Sequence, residues 1–139
     1  MHGAIYKIVD YAEAVIHTHS PHVLAFALAN KPLPCSYEAL FRFGQATDVP
    51  VAHWGPRGSK QSIDAIESTL GENPNTSCII LANHGLLAFG SSPLATVNLI
   101  SALEESAEAK INAIAIGGAV GFPQGALEAV RESMAKSRG

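Results

Sequence analysis

The sequence predicts a layered α/β fold built on a mixed sheet. Three observations predict it. Short apolar runs with strand character, at residues 14–19, 49–53, 78–82 and 86–89, alternate with segments whose apolar residues recur at helical spacing. The run at 78–82 is apolar throughout, which marks a central strand covered on both faces. Only Asn83-His84-Gly85 parts it from the next run, so those two strands form a hairpin and the sheet is not wholly parallel.

In chain order, residues 3–11 read as a helix with Ile5, Ile8 and Val9 on one face. So short a helix seldom opens a domain, and the chain is expected to begin inside a larger fold. The strand at 14–19 follows. Ser20 and Pro21 then have the residue types of an N-cap and a first helical position. The helix they open, with Val23, Leu24, Phe26, Ala27 and Leu28, must stop before Pro32 and Pro34. Residues 37–44 form a second short helix, with Leu40, Phe41 and Phe43 inward and Gly44 as its C-cap.

After the strand at 49–53 comes a loop of turn formers at 54–58. Ser59 caps a helix that runs to about residue 70. Ile63, Ile66 and Leu70 lie on its inner face and Gly71 follows its end. Asn73-Pro74-Asn75 turns the chain into the central strand, and the hairpin after it is expected to hold Gly85 at positive φ. The longest helix spans about 94–116 and stops at Gly117-Gly118. A last helix covers 127–134.

Composition narrows the function classes. The chain has 139 residues, enough for one domain or part of one, and 1–139 is taken as a single domain. The net charge is −3 and no basic cluster exists, which argues against nucleic acid and anionic membrane as partners. The first residues lack a secretory signal, and no apolar run is long enough to span a bilayer. Cys35 and Cys78 have no metal-type spacing and read as two reduced thiols of a cytoplasmic protein.

The chemistry centres on three histidines. His17 and His19 lie one residue apart at the end of an apolar strand, so their side chains point to the same face. That spacing by itself equally fits two loop histidines that bind nothing. His84 supplies a third imidazole at the end of the central strand. If both strands end at one sheet edge, the three rings converge. Three neutral nitrogens then leave a position open on a divalent ion, the layout of a catalytic rather than a structural site. His2, His22 and His53 read as structural or peripheral groups. Arg57 reads either as an anion contact beside a helix start or as a surface arginine. Tyr37 reads as a packing tyrosine able to donate a proton.

Four motifs, in order and separation, resemble the class II aldolase and adducin family. They are His17-Thr18-His19-Ser20-Pro21, Asn30-Lys31-Pro32-Leu33-Pro34, Val49-Pro50-Val51-Ala52, and Asn83-His84-Gly85-Leu86-Leu87 followed by Gly90. The resemblance runs from His2 to about Ile116. It implies a three-layer α/β/α sandwich with a mixed, largely antiparallel sheet, lacking the N-terminal part of the family fold. It implies that His17, His19 and His84 bind a catalytic zinc, for which manganese or cobalt can substitute. A family interface tyrosine corresponds to Tyr37 across a one-residue gap, which makes Tyr37 the candidate catalytic residue.

The implied activity is zinc-dependent retro-aldol cleavage of a phosphorylated sugar or similar hydroxy-ketone by a homotetramer. Epimerase, dehydratase and decarboxylase members share the metal site, and adducin-like members are non-catalytic modules. The family's acid/base glutamate falls upstream of the equivalent of Met1, as do its phosphate-binding loops. Met1 therefore reads as an internal methionine of a longer ancestor, and this chain is expected to bind metal poorly or turn over little. Asp10 and Glu13 lie at the far end of the first strand, and Glu38 comes near only if its loop folds back.

Overall fold

A computed structural model of the chain describes residues 1–137. Four strands form one mixed sheet: β1 (Ala14–Thr18), β2 (Val51–Ala52), β3 (Cys78–Leu81) and β4 (Gly85–Gly90), in the order β1-β4-β3-β2. β1 and β3 both run antiparallel to β4, and the two-residue β2 runs parallel to β3. β3 and β4 are therefore the interior strands. Their residues are buried on both faces, as the continuous apolar run requires.

Alternation along these strands divides the interior into two cores. Cys78, Ile80, Leu86 and Ala88 face one side, packed with Val23 and Ala27 of α2 (Pro21–Ala29), Leu40 of α3 (Glu38–Arg42) and Leu99 and Leu103 of α5 (Pro93–Ala113). Ile79, Leu81, Leu87 and Phe89 face the other, packed with Ile5 of α1 (His2–Ile8) and Ile66 and Leu70 of α4 (Lys60–Glu72). Helices thus cover both faces of one sheet in a three-layer α/β/α arrangement. A 3-10 turn (Ile114–Ile116) and α6 (Ala126–Ser137) complete the chain. Among the described residues no helix is long and apolar enough to cross a membrane.

Several local expectations are corrected. α1 ends at Ile8, which is exposed, so only Ile5 of the three residues expected on its inner face is fully buried. Phe43 is also exposed, because α3 ends at Arg42 and turns it outward, while Phe41 stacks on Phe122 at 4.5 Å. α4 runs through Gly71 to Glu72. Within residues 33–43, Leu33 and Leu40 are wholly buried, and Tyr37 and Phe43 are the exposed large apolar side chains.

The hairpin between β3 and β4 differs in mechanism. Asn83, not Gly85, takes the left-handed conformation, at φ 56. Asparagine is among the non-glycine residues that tolerate this region, and here a tertiary bond holds its side chain, Oδ1 accepting from Asn30 Nδ2 at 3.1 Å. Gly85 is already the first residue of β4.

Candidate metal centre

β1 and β4 carry the site to one end of the sheet. Their register sets His17 opposite Leu87 and Thr18 opposite Leu86. His17 therefore lies on the face of Leu87, the side covered by α1 and α4. The strand ends at Thr18, one residue before His19, and His84 sits in the turn that opens β4. Antiparallel pairing of β4 with both neighbours is what brings the end of β1 beside the β3–β4 turn.

The three imidazoles meet there. Ring centroids are 4.8 Å apart for His17–His19, 4.6 Å for His17–His84 and 5.4 Å for His19–His84. One nitrogen from each ring falls in a group whose members all lie within 4.8 Å of one another. His17 Nε2 and His19 Nε2 are 3.0 Å apart. Two nitrogens on a tetrahedral zinc, at Zn–N distances of about 2.0–2.1 Å, stand about 3.3 Å apart, so the observed spacing suits shared coordination.

The chemical state of the rings also suits a metal. His17 Nδ1 lies 2.9 Å from the carbonyl oxygen of Leu86. A carbonyl only accepts, so Nδ1 carries the proton and the lone pair of the neutral ring sits on Nε2, facing His19. Burial lowers the pKa of His17, partly opposed by that bond to Leu86, with the charges of His84, His19 and His2 lowering it further. Burial lowers His84 as well, helped by His19 and by Arg57. Both shifts favour the neutral ring, the form a metal requires.

Gly85 explains how three rings fit. A Cβ on Gly85 would stand 2.5 Å from the Thr18 carbonyl oxygen, 2.8 Å from His19 Cδ2 and 3.4 Å from His17 Cε1. The missing side chain is the space the first motif occupies, a close-approach use of glycine.

Other singled-out residues lie elsewhere. Tyr37 precedes α3, and its hydroxyl donates to Glu105 Oε2 at 2.9 Å rather than to any of the three rings. Glu38 is held by Arg42. Asp10 and Glu13 precede β1, at the end opposite the histidines. The metal-type group contains no carboxylate. His22 lies 3.4 Å from Glu104 and 3.8 Å from Glu108 through Nδ1. His53 lines a cavity of about 640 Å³ beside β2 and α4, which none of the three clustered histidines lines. Cys35 is half-buried, its thiol pushed up to about 11 by burial and then by Asp48. Cys78 is buried in β3 and is a free thiol like Cys35.

Two functional features escaped the sequence reading. One is the carbonyl of Leu86 as the partner that orients His17, which has no side-chain signature. The other is the cap of α2. Ser20 occupies the N-cap position, yet its side chain makes no capping bond there and instead pairs with Thr18 Oγ1 at 2.9 Å.

Comparison with known proteins gives a consistent picture. The family model described as "Class II Aldolase and Adducin N-terminal domain" matches residues 1–111. The L-fuculose phosphate aldolase of Escherichia coli O6:H1 is 28% identical over 87 residues, which cover 63% of this chain and 39% of that protein. The protein of the same name from Haemophilus influenzae is 28% identical over 92 residues, 66% of this chain and 40% of that one. A solved L-fuculose 1-phosphate aldolase superposes with a TM-score of 0.84 at 26% identity, covering 96% of this chain and 60% of that chain. The chain thus spans less than two thirds of the length of these relatives.

Proposed function

Because this chain belongs to the class II aldolase and adducin family, we propose that it carries the metal platform of a zinc-dependent aldolase acting on a phosphorylated sugar or similar hydroxy-ketone. The observation that carries the reading is the convergence of three ring nitrogens within 4.8 Å at one end of the sheet. His17, His19 and His84 would hold the ion, with manganese or cobalt as substitutes, since imidazole does not choose sharply among these metals. When bound, the metal supplies Lewis-acid stabilisation of the negative charge that develops on substrate oxygens as the C–C bond breaks.

The chain's own residues supply position. The Leu86 carbonyl sets the tautomer of His17, and Gly85 leaves room for the rings to close on one point. Arg57, exposed in the turn before α4, acts on His84 through its charge and gives the neighbourhood a cation for an anionic substrate. Retro-aldol cleavage also needs a base at the donor hydroxyl and a proton donor for the leaving carbon. In our reading Tyr37 is that donor, acting across a subunit contact in a homo-oligomer of tetrameric type. Residues 1–139 form one domain of that assembly. Exposed Leu28, Ile114, Ile116 and Val120 are apolar groups that a second copy would cover.

The test pairs zinc analysis of the purified protein with an aldehyde-release assay on several ketose phosphates, using the longest form of the gene. Stoichiometric zinc with cleavage of one of them supports the reading. Zinc without cleavage of any moves the assignment to epimerase, dehydratase or decarboxylase chemistry at the same site.

A further inference from the structure

We propose that Glu104 is a positioning residue for the metal centre: by holding the first turn of α2 it fixes where His19 stands. The inference rests on the reading of the three histidines as metal ligands.

The three rings are not secured alike. His17 lies within β1, and its ring is tied to the Leu86 carbonyl. His84 lies in a turn closed by its own N–H donating to Leu81 O at 3.0 Å, while the Asn83 N–H donates to Ala27 O at 2.8 Å. His19 lies past the end of β1 and is exposed, and its ring meets the rings of His17 and His84, with a nitrogen at hydrogen-bond distance only from His17. Its position is therefore set by the strand before it and by whatever fixes the start of α2 after it.

That start is fixed from a distance. Pro21 has no N–H, so the first free donors of α2 belong to His22 and Val23. Both donate to the carboxylate of Glu104, 82 and 81 residues on. His22 N lies 2.7 Å from Oε1 and 3.1 Å from Oε2, and Val23 N lies 3.0 Å from Oε1. Glu104 stands on α5, whose Leu99 and Leu103 are buried in the core, so the anchor is rigid. A carboxylate here meets both the orphan donors and the positive end of the helix dipole. With Ser20 turned back to Thr18, Glu104 does the capping and joins the Ser20-Pro21 corner to the long helix. Without it the corner keeps only the Ser20–Thr18 bond, the Leu24 N–H to Ser20 O bond and the burial of Val23, and the ligand leaving β1 is held less firmly.

The experiment measures zinc affinity by competition with a chromophoric chelator, at a temperature where thermal unfolding shows each variant folded. Glu104→Ala is expected to bind zinc about 10-fold or more weakly, the range typical of groups that orient metal ligands. Glu104→Gln, which keeps an acceptor oxygen for the two N–H groups, is expected to recover most of that loss. On a His19→Ala background, Glu104→Ala is expected to change affinity by less than about twofold, because the ligand it positions is gone. A merely structural role would lower the melting temperature but leave the affinity of folded protein unchanged. If Glu104→Ala does not fold, Glu104→Asp takes its place, its carboxylate one methylene short of both donors. Undiminished affinity in the folded variant, or an equal loss on the His19→Ala background, overturns the role of Glu104 alone. A wild-type protein that binds no zinc overturns the ligand reading beneath it.

Discussion

His17 donates through Nδ1 to the main-chain carbonyl of Leu86, 2.9 Å away on the neighbouring strand. In the sheet register Leu86 faces Thr18, one residue beyond His17. A backbone group fixed by the ladder thus decides which nitrogen of His17 offers a lone pair and where it points. The orientation needs no side chain and survives any change of residue at position 86 that keeps the strand.

Replacing His84 by Ala removes the imidazole that the β3–β4 turn contributes to the proposed metal site. Two nitrogens remain, one fewer than the three protein ligands of a catalytic zinc site. Metal content after purification is expected to fall well below that of the wild-type chain, measured by elemental analysis. Full retention of metal would rule out His84 as a ligand.

Acidification should release the metal and weaken the apoprotein together. His17 and His84 have pKa values lowered from 6.5, so the unfolded chain takes up protons at a higher pH than the folded one. Stability therefore rises with pH between the depressed folded values and 6.5, and is lost as pH falls through that window. Metal binding competes with the same protons and should weaken over the same range. Thermal midpoints with and without zinc as a function of pH check this. A His84→Asn variant should show a shallower pH slope.

Gly85→Ala places a methyl group 2.5 Å from the Thr18 carbonyl and 2.8 Å from the ring of His19. The carbonyl is part of the β1–β4 ladder and cannot retreat, so the strand end must move. Overpacking of this kind costs about 1–3 kcal/mol. Zinc affinity is expected to drop about 10-fold or more through displacement of the ligands. Denaturant unfolding and metal titration measure the two effects, and a variant with unchanged affinity would show that Gly85 is not needed for the cluster.

Tyr37→Phe removes one exposed bond to Glu105 and should leave folding and metal content close to wild type. If Tyr37 donates the proton in an assembled site, aldol cleavage falls by about 10²- to 10⁴-fold. Unchanged turnover would exclude it.

Static light scattering at micromolar concentration is expected to give a mass above that of one chain. Ile114→Lys should shift the distribution toward monomer, since Ile114 is 73% exposed at the end of the long helix. A monomer in wild type would count against assembly through this surface.

The amino-acid sequence by itself determined the strand and helix alternation, the central place of residues 78–81, and the three histidines as a candidate group. Each depends on local periodicity or on residue type, which a linear reading retains. Ser59 was legible as a cap for the same reason: its Oγ accepts from Ser62 N, three residues on. Tertiary structure decided what lies between distant segments. The fully buried Gln45 is one case. Its side chain binds Thr47, Thr76 and Ser77, and a polar loop residue gives no sign of such a network. Gly85 is another. It was legible as a glycine that the hairpin needs, yet its function is space for Thr18 and His19 rather than a positive φ. Glu104 is the third: a carboxylate on a helix face looks solvated until the fold brings the bare N-terminus of α2 against it. Steric room and trans-chain hydrogen bonds arise only once segments some 30 to 80 residues apart are packed together, and no local pattern encodes them.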